Sequence, residues 1–295
     1  MPSKFSSRMH RLHIALTTDV PIIQNPTYAD DGLISQHVAD FMNNSKFIEA
    51  YGLGRKTGAL NQHPGDIHFR AYTANRHNFT FLIPHPNPPP LGEGVYEKRR
   101  LCQFAVYVAC WAAKYALALD GDFVECGVGK GLLTRTIVHY LGFESIPKKF
   151  YLFDTFTGIP IEDAIDRQEK KNISLLNKTH FAKEYHEEVM RTFIKYPNVV
   201  IIRGRIPQSF STTTLDRVSY ISIDMNNAAA EIAAIEYLWI KLVAGGVVVL
   251  DDYAYGPEFM TQKKAWDRFA ELNNFEILTL PTGQGLIIKQ ETYDC

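Results

Sequence analysis

The chain has 295 residues, a formal net charge of −1 and 46% hydrophobic residues. That length accommodates one large α/β domain with an added segment, or two modest domains. Near-zero net charge argues against a nucleic acid or an anionic membrane as a partner. The longest apolar run, Val243 to Leu250, is too short to span a membrane, and the short apolar stretch after the first basic residues does not predict a secretory signal. We therefore expect a cytoplasmic protein.

Cysteines and histidines show no spacing typical of redox or metal sites. The cysteines, at positions 102, 110, 126 and 295, form no C-x-x-C pair, and we interpret them as structural or incidental. Histidines 63, 68, 77 and 85 match no ligand pattern and are interpreted as scattered surface residues. His139 is expected on a helix surface rather than as a catalytic base.

The first part of the chain differs from the rest. Apolar residues at helical spacing predict one helix there, from about Leu33 to Tyr51. The stiff stretch His85 to Pro90, followed by Gly92 and Gly94, marks a boundary. We therefore divide the chain into an N-terminal extension, residues 1–95, and a second domain, residues 96–295. The extension is a cap, a substrate lid or an oligomer contact, and the sequence does not choose among them.

From residue 97 onward, helices and strands alternate. Such alternation predicts an α/β fold with a parallel sheet, and a terminal hairpin adds an antiparallel edge. The predicted helices cover residues 97–119, 132–141, 183–196, 228–243 and 262–272, with Gly245 and Gly246 ending the fourth. The predicted strands cover residues 123–126, 150–153, 199–203, 220–223 and 247–250, and the hairpin pairs 275–280 with 285–289.

A glycine-rich turn joins the first of these strands to a helix. Glu125 ends the strand, and glycines follow at positions 127, 129 and 131. Such a junction exposes backbone N–H groups at a helix N-terminus and lets a ligand lie against the main chain. The pattern predicts a cofactor site, although a glycine turn without a ligand is the alternative.

The details of the turn favour one cofactor. In the dinucleotide fingerprint G-x-G-x-x-G the third glycine comes one position later than Gly131 does here. A carboxylate at Glu125 would repel a pyrophosphate and attract an ammonium group. S-adenosylmethionine carries an ammonium and a sulfonium and has no phosphate. We therefore predict S-adenosylmethionine, with Gly127 and Gly129 providing the close backbone approach.

Other acidic residues follow the strands. Asp154 ends the second strand, about 25 residues beyond the turn, where a carboxylate accepts from the hydroxyls of a ribose. It could instead cap the next turn. Gly204, after the third strand, lets the chain pass close to an adenine. The insert from Thr155 to Lys183 is expected to form a lid over the acceptor.

Three aspartates end two strands that should be neighbours. Asp224 follows the fourth strand, and Asp251 and Asp252 follow the fifth. Converging acids repel one another unless a cation or protonation compensates, and oxygen ligands suit Mg²⁺. A magnesium site is one interpretation, with Asp224 as ligand or catalytic base. The other is that Asp251 caps a loop and Asp252 faces solvent.

Three blocks together resemble the macrocin O-methyltransferase (TylF-type) family. They are residues 125–131, E-C-G-V-G-K-G; residues 153–160, F-D-T-F-T-G-I-P; and residues 245–253, G-G-V-V-V-L-D-D-Y. The likeness runs from about Gly121 to Lys289. Where the family carries D-x-D after the fourth strand, this chain has Asp224-Met225-Asn226.

The resemblance implies a doubly wound, mostly parallel seven-stranded sheet of the Rossmann-like class I methyltransferase type. It implies methyl transfer to a hydroxyl of a sugar or a glycosylated natural product, and a homodimer by analogy. Magnesium would bind the positions matching Asp224, Asp251 and Asp252, and Thr155 would join Asp154 in the cofactor site. Two alternatives remain, a catalytically silent cofactor-binding protein, favoured by Asn226, and a nucleotide-dependent dehydrogenase.

Overall fold

The computed structural model describes residues 28–30, 33–35, 41, 44–54, 103–181 and 183–291. Within these ranges the fold is a seven-stranded sheet with helices on both faces. Its strands are β3 (Asp122–Cys126), β4 (Phe150–Asp154), β5 (Val199–Arg203), β6 (Val218–Ile223), β7 (Leu242–Leu250), β8 (Leu278–Thr279) and β9 (Gly285–Ile288). Their spatial order is β5-β4-β3-β6-β7-β9-β8. The five strands from β5 to β7 are parallel, and β9 pairs antiparallel with both β7 and β8. The predicted α/β class, its mostly parallel sheet and the terminal hairpin are thus confirmed.

The sheet is buried on both faces because its central strands are apolar throughout. Along β3 the side chains alternate, with Phe123 in one hydrophobic core and Val124 in the other. Tyr220 and Ile221 of β6 divide in the same way. Each face therefore needs its own helical layer.

The helices supply these layers. They are α1 (Ser45–Gly54), α2 (Gln103–Ala116), α3 (Leu132–Leu141), α4 (Arg167–Thr179), α5 (His186–Phe193), α6 (Ala228–Trp239) and α7 (Met260–Leu272). Residues of α1, α2, α3 and α5 join the core on the Phe123 face, and residues of α6 and α7 join the core on the Val124 face. Among the described residues, no helix has both the length and the apolarity needed to cross a membrane.

The predicted helix from Leu33 to Tyr51 was wrong at its start. Residues Leu33–Ser35 form a short strand, β2, paired antiparallel with β1 (Tyr28–Asp30). The helix begins at Ser45 because the Asn44 side chain accepts from the Phe47 backbone N–H at 3.1 Å, capping the first turn. The helix then packs on α3 and places Phe47 and Tyr51 in the main core. The proposed boundary at residue 95 lies outside the described residues.

The predicted helix over residues 228–243 was also wrong at its end. Helix α6 ends at Trp239, and β7 already begins at Leu242. Gly245 and Gly246 lie within this strand rather than ending the helix. They form a bulge, since Leu242 pairs with Val218 and Val247 pairs with Tyr220. Gly245 has a φ of 77°, which glycine adopts without strain.

The helix layer contains a buried carboxylate, Glu231 of α6. It accepts from the Trp266 indole N–H at 2.8 Å and from the Gln262 amide at 3.4 Å. Burial raises the pKa of Glu231 from its ordinary value of 4.5 to about 7, and the charge of Glu169 adds to the increase. Hydrogen bonds from Trp266, Gln262 and the Met225 N–H partly oppose it.

This carboxyl should make stability depend on pH. The folded chain holds the Glu231 proton up to about pH 7 whereas the unfolded chain releases it near 4.5, so the free energy of unfolding falls across that window. Replacing Glu231→Gln removes this titration. Relative to the variant, the wild type should lose about 2 kcal/mol between about pH 5.5 and about pH 8 in urea unfolding. Glu236→Gln, exposed on the same helix, should change nothing. An equal pH dependence in wild type and Glu231→Gln would contradict this account.

Candidate functional site

The carboxyl ends of the central strands meet at one edge of the sheet, as in other open parallel sheets. Beyond the strand ends, backbone hydrogen bonds between neighbouring strands continue. The Asp224 N–H donates to the Cys126 carbonyl at 2.9 Å, and the Asp251 N–H donates to the Ile223 carbonyl at 3.0 Å. A Cβ on Gly127 would lie 1.9 Å from the Asp224 carbonyl oxygen, so only glycine permits this approach. The turn and the aspartate strand end are therefore in direct contact.

Glu125 lies beneath the turn and is 2% exposed. Its Oε2 is buried and has no hydrogen-bond partner among the described residues. Burial raises the pKa of Glu125 well above its ordinary value, and Asp224, Asp154 and Asp251 raise it further. A cation would both bond the orphaned oxygen and offset this repulsion. The site is thus suited to a positively charged ligand group.

Asp154 holds the glycine turn in place. Its Oδ2 accepts from the N–H groups of Val128 and Gly129 at 2.8 and 2.9 Å. Its Oδ1 accepts from the Phe156 N–H at 2.6 Å and from the Tyr185 hydroxyl at 3.2 Å. Burial raises the pKa of Asp154, and these four hydrogen bonds work in the opposite direction. The carboxylate therefore has a structural function of its own.

The three aspartates predicted to converge do so. Asp224, Asp251 and Asp252 each offer a carboxylate oxygen, and these oxygens lie within 4.8 Å of one another. Oxygens bound to one Mg²⁺ at about 2.1 Å lie up to roughly 4 Å apart. A small rotation of the side chains would bring the three oxygens to that spacing.

Two amide side chains orient the aspartates. Asn226 donates from Nδ2 to Asp224 Oδ1 at 2.9 Å, and its own Oδ1 is buried without a partner among the described residues. Gln284 of the terminal hairpin donates to Asp251 Oδ1 at 3.1 Å and is 1% exposed. Asn226 has a φ of 54°, a left-handed conformation that asparagine tolerates. Its orphaned oxygen is a further candidate ligand for a cation.

One cavity of about 320 Å³ joins these groups. Every predicted site residue lines it: Glu125, Gly127, Gly129, Asp154, Thr155, Gly204, Asp224, Asp251 and Asp252. The insert from Thr155 onward forms part of the wall through a loop and α4, and adds Ile159, Pro160 and Phe181. Tyr255 and Phe259 line the cavity from the segment after β7. The cavity is therefore charged at the strand ends, and on the insert side these apolar residues lie beside Asp163, Thr179 and His180.

Sequence reasoning missed the residues that hold the site together. Tyr185 bonds to Asp154 across 31 positions, and Gln284 bonds to Asp251 across 33. Neither residue lies in a recognisable motif, so only the folded structure shows that they contact the site. His139 does not line the cavity; it is half-buried and bonds the Tyr196 hydroxyl through Nε2 at 2.9 Å. Cys110 and Cys126 are buried free thiols.

Comparison with known proteins identifies a family that the chain matches. The model of the macrocin O-methyltransferase (TylF) family matches residues 67–278. The demethyldecarbamoylnovobiocin O-methyltransferase of Streptomyces niveus is 27% identical over 148 residues, 47% of this chain and 55% of that protein. The chain thus spans about half the length of this curated relative.

Solved structures agree with the fold. The O-methyltransferase NovP has a TM-score of 0.54 and 21% identity, over 63% of this chain and 79% of its own. The calicheamicin methyltransferase CalS11 has a TM-score of 0.50 and 14% identity, over 84% of this chain and 92% of its own.

The contact between Gly127 and the Asp224 carbonyl leads to a prediction. Gly127→Ala would force the two strand ends apart, whereas a Cβ on Gly129 has no atom within 4 Å. Both glycines have a positive φ, so both alanine variants carry the backbone strain of that conformation. We expect Gly129→Ala to lower the free energy of unfolding by about 1 kcal/mol and Gly127→Ala by roughly 3 kcal/mol or more. Similar losses in thermal unfolding would show that the contact contributes little.

Proposed function

This chain belongs to the macrocin O-methyltransferase (TylF) family, and we propose that it is an O-methyltransferase that carries a methyl group from S-adenosylmethionine to a hydroxyl of a sugar or a glycosylated natural product. We further propose that Mg²⁺ assists. The observation that carries the proposal is the buried, unpartnered oxygen of Glu125 beneath a glycine turn that ends next to three clustered aspartates.

Glu125 receives the amino group of the cofactor in this proposal. Without the ligand, burial and three neighbouring acids oppose the negative charge of its carboxylate and raise its pKa. An ammonium group restores the charged form and bonds the orphaned oxygen. The cofactor itself supplies a methyl on a sulfonium, which is a good leaving group. Gly127 and Gly129 let it lie on the main chain, and Gly204 does so at the adenine end.

Asp154 is the proposed ribose acceptor, with Thr155 beside it. Its oxygens already accept four hydrogen bonds, of which the one from Tyr185 is longest, at 3.2 Å. Ribose hydroxyls would therefore replace the Tyr185 hydroxyl rather than the backbone donors. The turn would stay fixed while the ligand binds.

The three aspartates are proposed to act on the acceptor hydroxyl. Asp224, Asp251 and Asp252 would hold Mg²⁺, with the Asn226 amide oxygen as a neutral fourth ligand. When bound, the ion lowers the pKa of a coordinated hydroxyl. Asp224 would accept the proton of the acceptor, and the Asn226 amide that donates to Asp224 Oδ1 fixes its orientation.

The apolar residues in the cavity wall suit a glycoside. Ile159, Pro160 and Phe181 of the insert face the cavity together with Tyr255 and Phe259. Such side chains pack on the apolar face of a sugar ring or on an aromatic aglycone and exclude water from the reacting atoms. The novobiocin relative acts on demethyldecarbamoylnovobiocin, as its name says. A small glycosylated acceptor is therefore proposed here.

Calorimetric titration with S-adenosylhomocysteine tests the cofactor assignment. Micromolar binding is expected for the wild type, with none for NAD. Glu125→Gln should weaken binding about tenfold or more, because it removes the charge that pairs with the ammonium group. Glu236→Gln is the matched surface control. Equal affinity in wild type and Glu125→Gln would remove Glu125 from the site.

The paired variant Asp251→Asn with Asp252→Asn tests the ion. We expect Mn²⁺ affinity, followed by electron paramagnetic resonance, to fall at least about a hundredfold because two anionic ligands are lost. Binding of S-adenosylhomocysteine should persist. Methyl transfer that survives unchanged would exclude metal assistance. Cofactor binding with no transfer to any hydroxyl acceptor would favour a silent binding protein, for which Asn226 is the structural support.

A further inference from the structure

Glu169, which no motif contains, is a buried carboxylate on the insert helix α4 and is 1% exposed. Its Oε2 accepts from the Ile165 N–H at 2.7 Å, just before its own helix. Its Oε1 accepts from the Ala228 N–H at 2.6 Å, the first residue of α6. Two helix N-termini therefore converge on one anion, which compensates for its burial.

The second of these bonds connects the lid to the aspartate loop. Ala228 follows directly on the loop Asp224 to Asn227. In that loop the Asn227 side chain caps α6 by accepting from the Ala230 N–H at 2.9 Å and donates to the Pro160 carbonyl at 3.3 Å. The insert thus holds this loop at two points.

The same end of α4 also contacts the segment after β7. Asp166, which caps α4, accepts from the Thr261 hydroxyl at 2.6 Å. Thr261 lies in α7, nine residues after Asp252. One end of the lid helix is therefore bonded to both chain segments that follow the aspartates.

We propose that Glu169 is a positioning residue that sets the place of Asp224 relative to Asp251 and Asp252 and couples it to the lid. The proposal rests on the proposed function. When the insert closes on an acceptor, the distances among the three aspartates then change at the same time, because both depend on the hydrogen bond from the Ala228 N–H to Glu169. Beyond the contact of Gly127 with Asp224, the glycine turn is held by hydrogen bonds to Asp154, which do not involve Glu169.

Glu169→Gln tests this coupling. Glutamine has one acceptor oxygen where the native side chain uses two, so one of the two N–H groups would face an NH₂ group. We expect affinity for Mn²⁺, measured with S-adenosylhomocysteine present, to fall about tenfold. Affinity for S-adenosylhomocysteine should stay within about twofold, since its contacts lie elsewhere. Glu187→Gln, 90% exposed on α5, is the matched control.

A second variant removes the donor instead. Ala228→Pro deletes the N–H at the first helical position, where proline is accepted, and Asn227 before it is already extended, with φ −148° and ψ 111°. It should weaken Mn²⁺ binding by a similar factor. Because both substitutions break the same hydrogen bond, Mn²⁺ affinity in the double variant should fall by less than the product of the two single-variant factors.

Hydrogen exchange gives a readout independent of any ion. Amides 225–231 in Glu169→Gln, and the same amides without position 228 in Ala228→Pro, should exchange faster than in the wild type, while amides 128–131 stay unchanged. If the wild type takes up no Mn²⁺, the metal proposal fails and exchange alone decides the role of Glu169. Unchanged exchange at 225–231 in a folded variant, or equal Mn²⁺ affinity, overturns the proposal.

Discussion

Concentrated negative charge at one edge of the sheet is the constraint on which the site depends. Glu125 is buried there, and its charge is opposed by Asp154, Asp224 and Asp251 at once. A folded chain tolerates such a cluster only if protons or cations offset the charge. Each group that the proposed reaction requires on this edge, an ammonium, a sulfonium and a divalent ion, is positive. The negative charge that destabilises this edge of the sheet would therefore favour the binding of these positive groups.

Backbone contacts rather than side chains fix where these charges lie. Gly127 permits β3 and β6 to end against each other, and the parallel ladder continues into Asp224 and Asp251 through main-chain bonds. Side-chain bonds then add orientation, from the turn to Asp154 and from Asn226 to Asp224. The acids are thus held by elements buried on both faces, which is the kind of support that a precise site needs.

The sequence predicted the elements that local patterns of apolar and polar residues define. It missed the features that depend on contacts between residues far apart in the chain. The five parallel strands and the acids after them follow from apolar runs ended by polar residues, and all the predicted site residues line one cavity. The glycine pair at 245 and 246 was misinterpreted as a helix stop, whereas it forms a bulge opposite the step from Val218 to Tyr220 on a distant strand. The helix at Ser45 was extended too far because apolar spacing alone does not register a cap such as Asn44. Glu169 and Gln284 could not be found, since their partners are set only by the fold.

Asn226 changes the charge balance that this edge must meet. With an acid at that position, as in the D-x-D pattern, four carboxylates would surround the proposed ion; here three carboxylates, Asp224, Asp251 and Asp252, and one amide would do so. In the proposed reaction, three negative charges and one divalent cation would leave a formal charge of −1, which the sulfonium of the cofactor would offset. The amide donates to Asp224 Oδ1 instead of repelling it, so Asp224 is oriented without added negative charge. In the proposed reaction, a neutral residue at this position would therefore lower the affinity for the ion but favour the anionic oxygen that forms on the acceptor, because fewer fixed negative charges would oppose that oxygen.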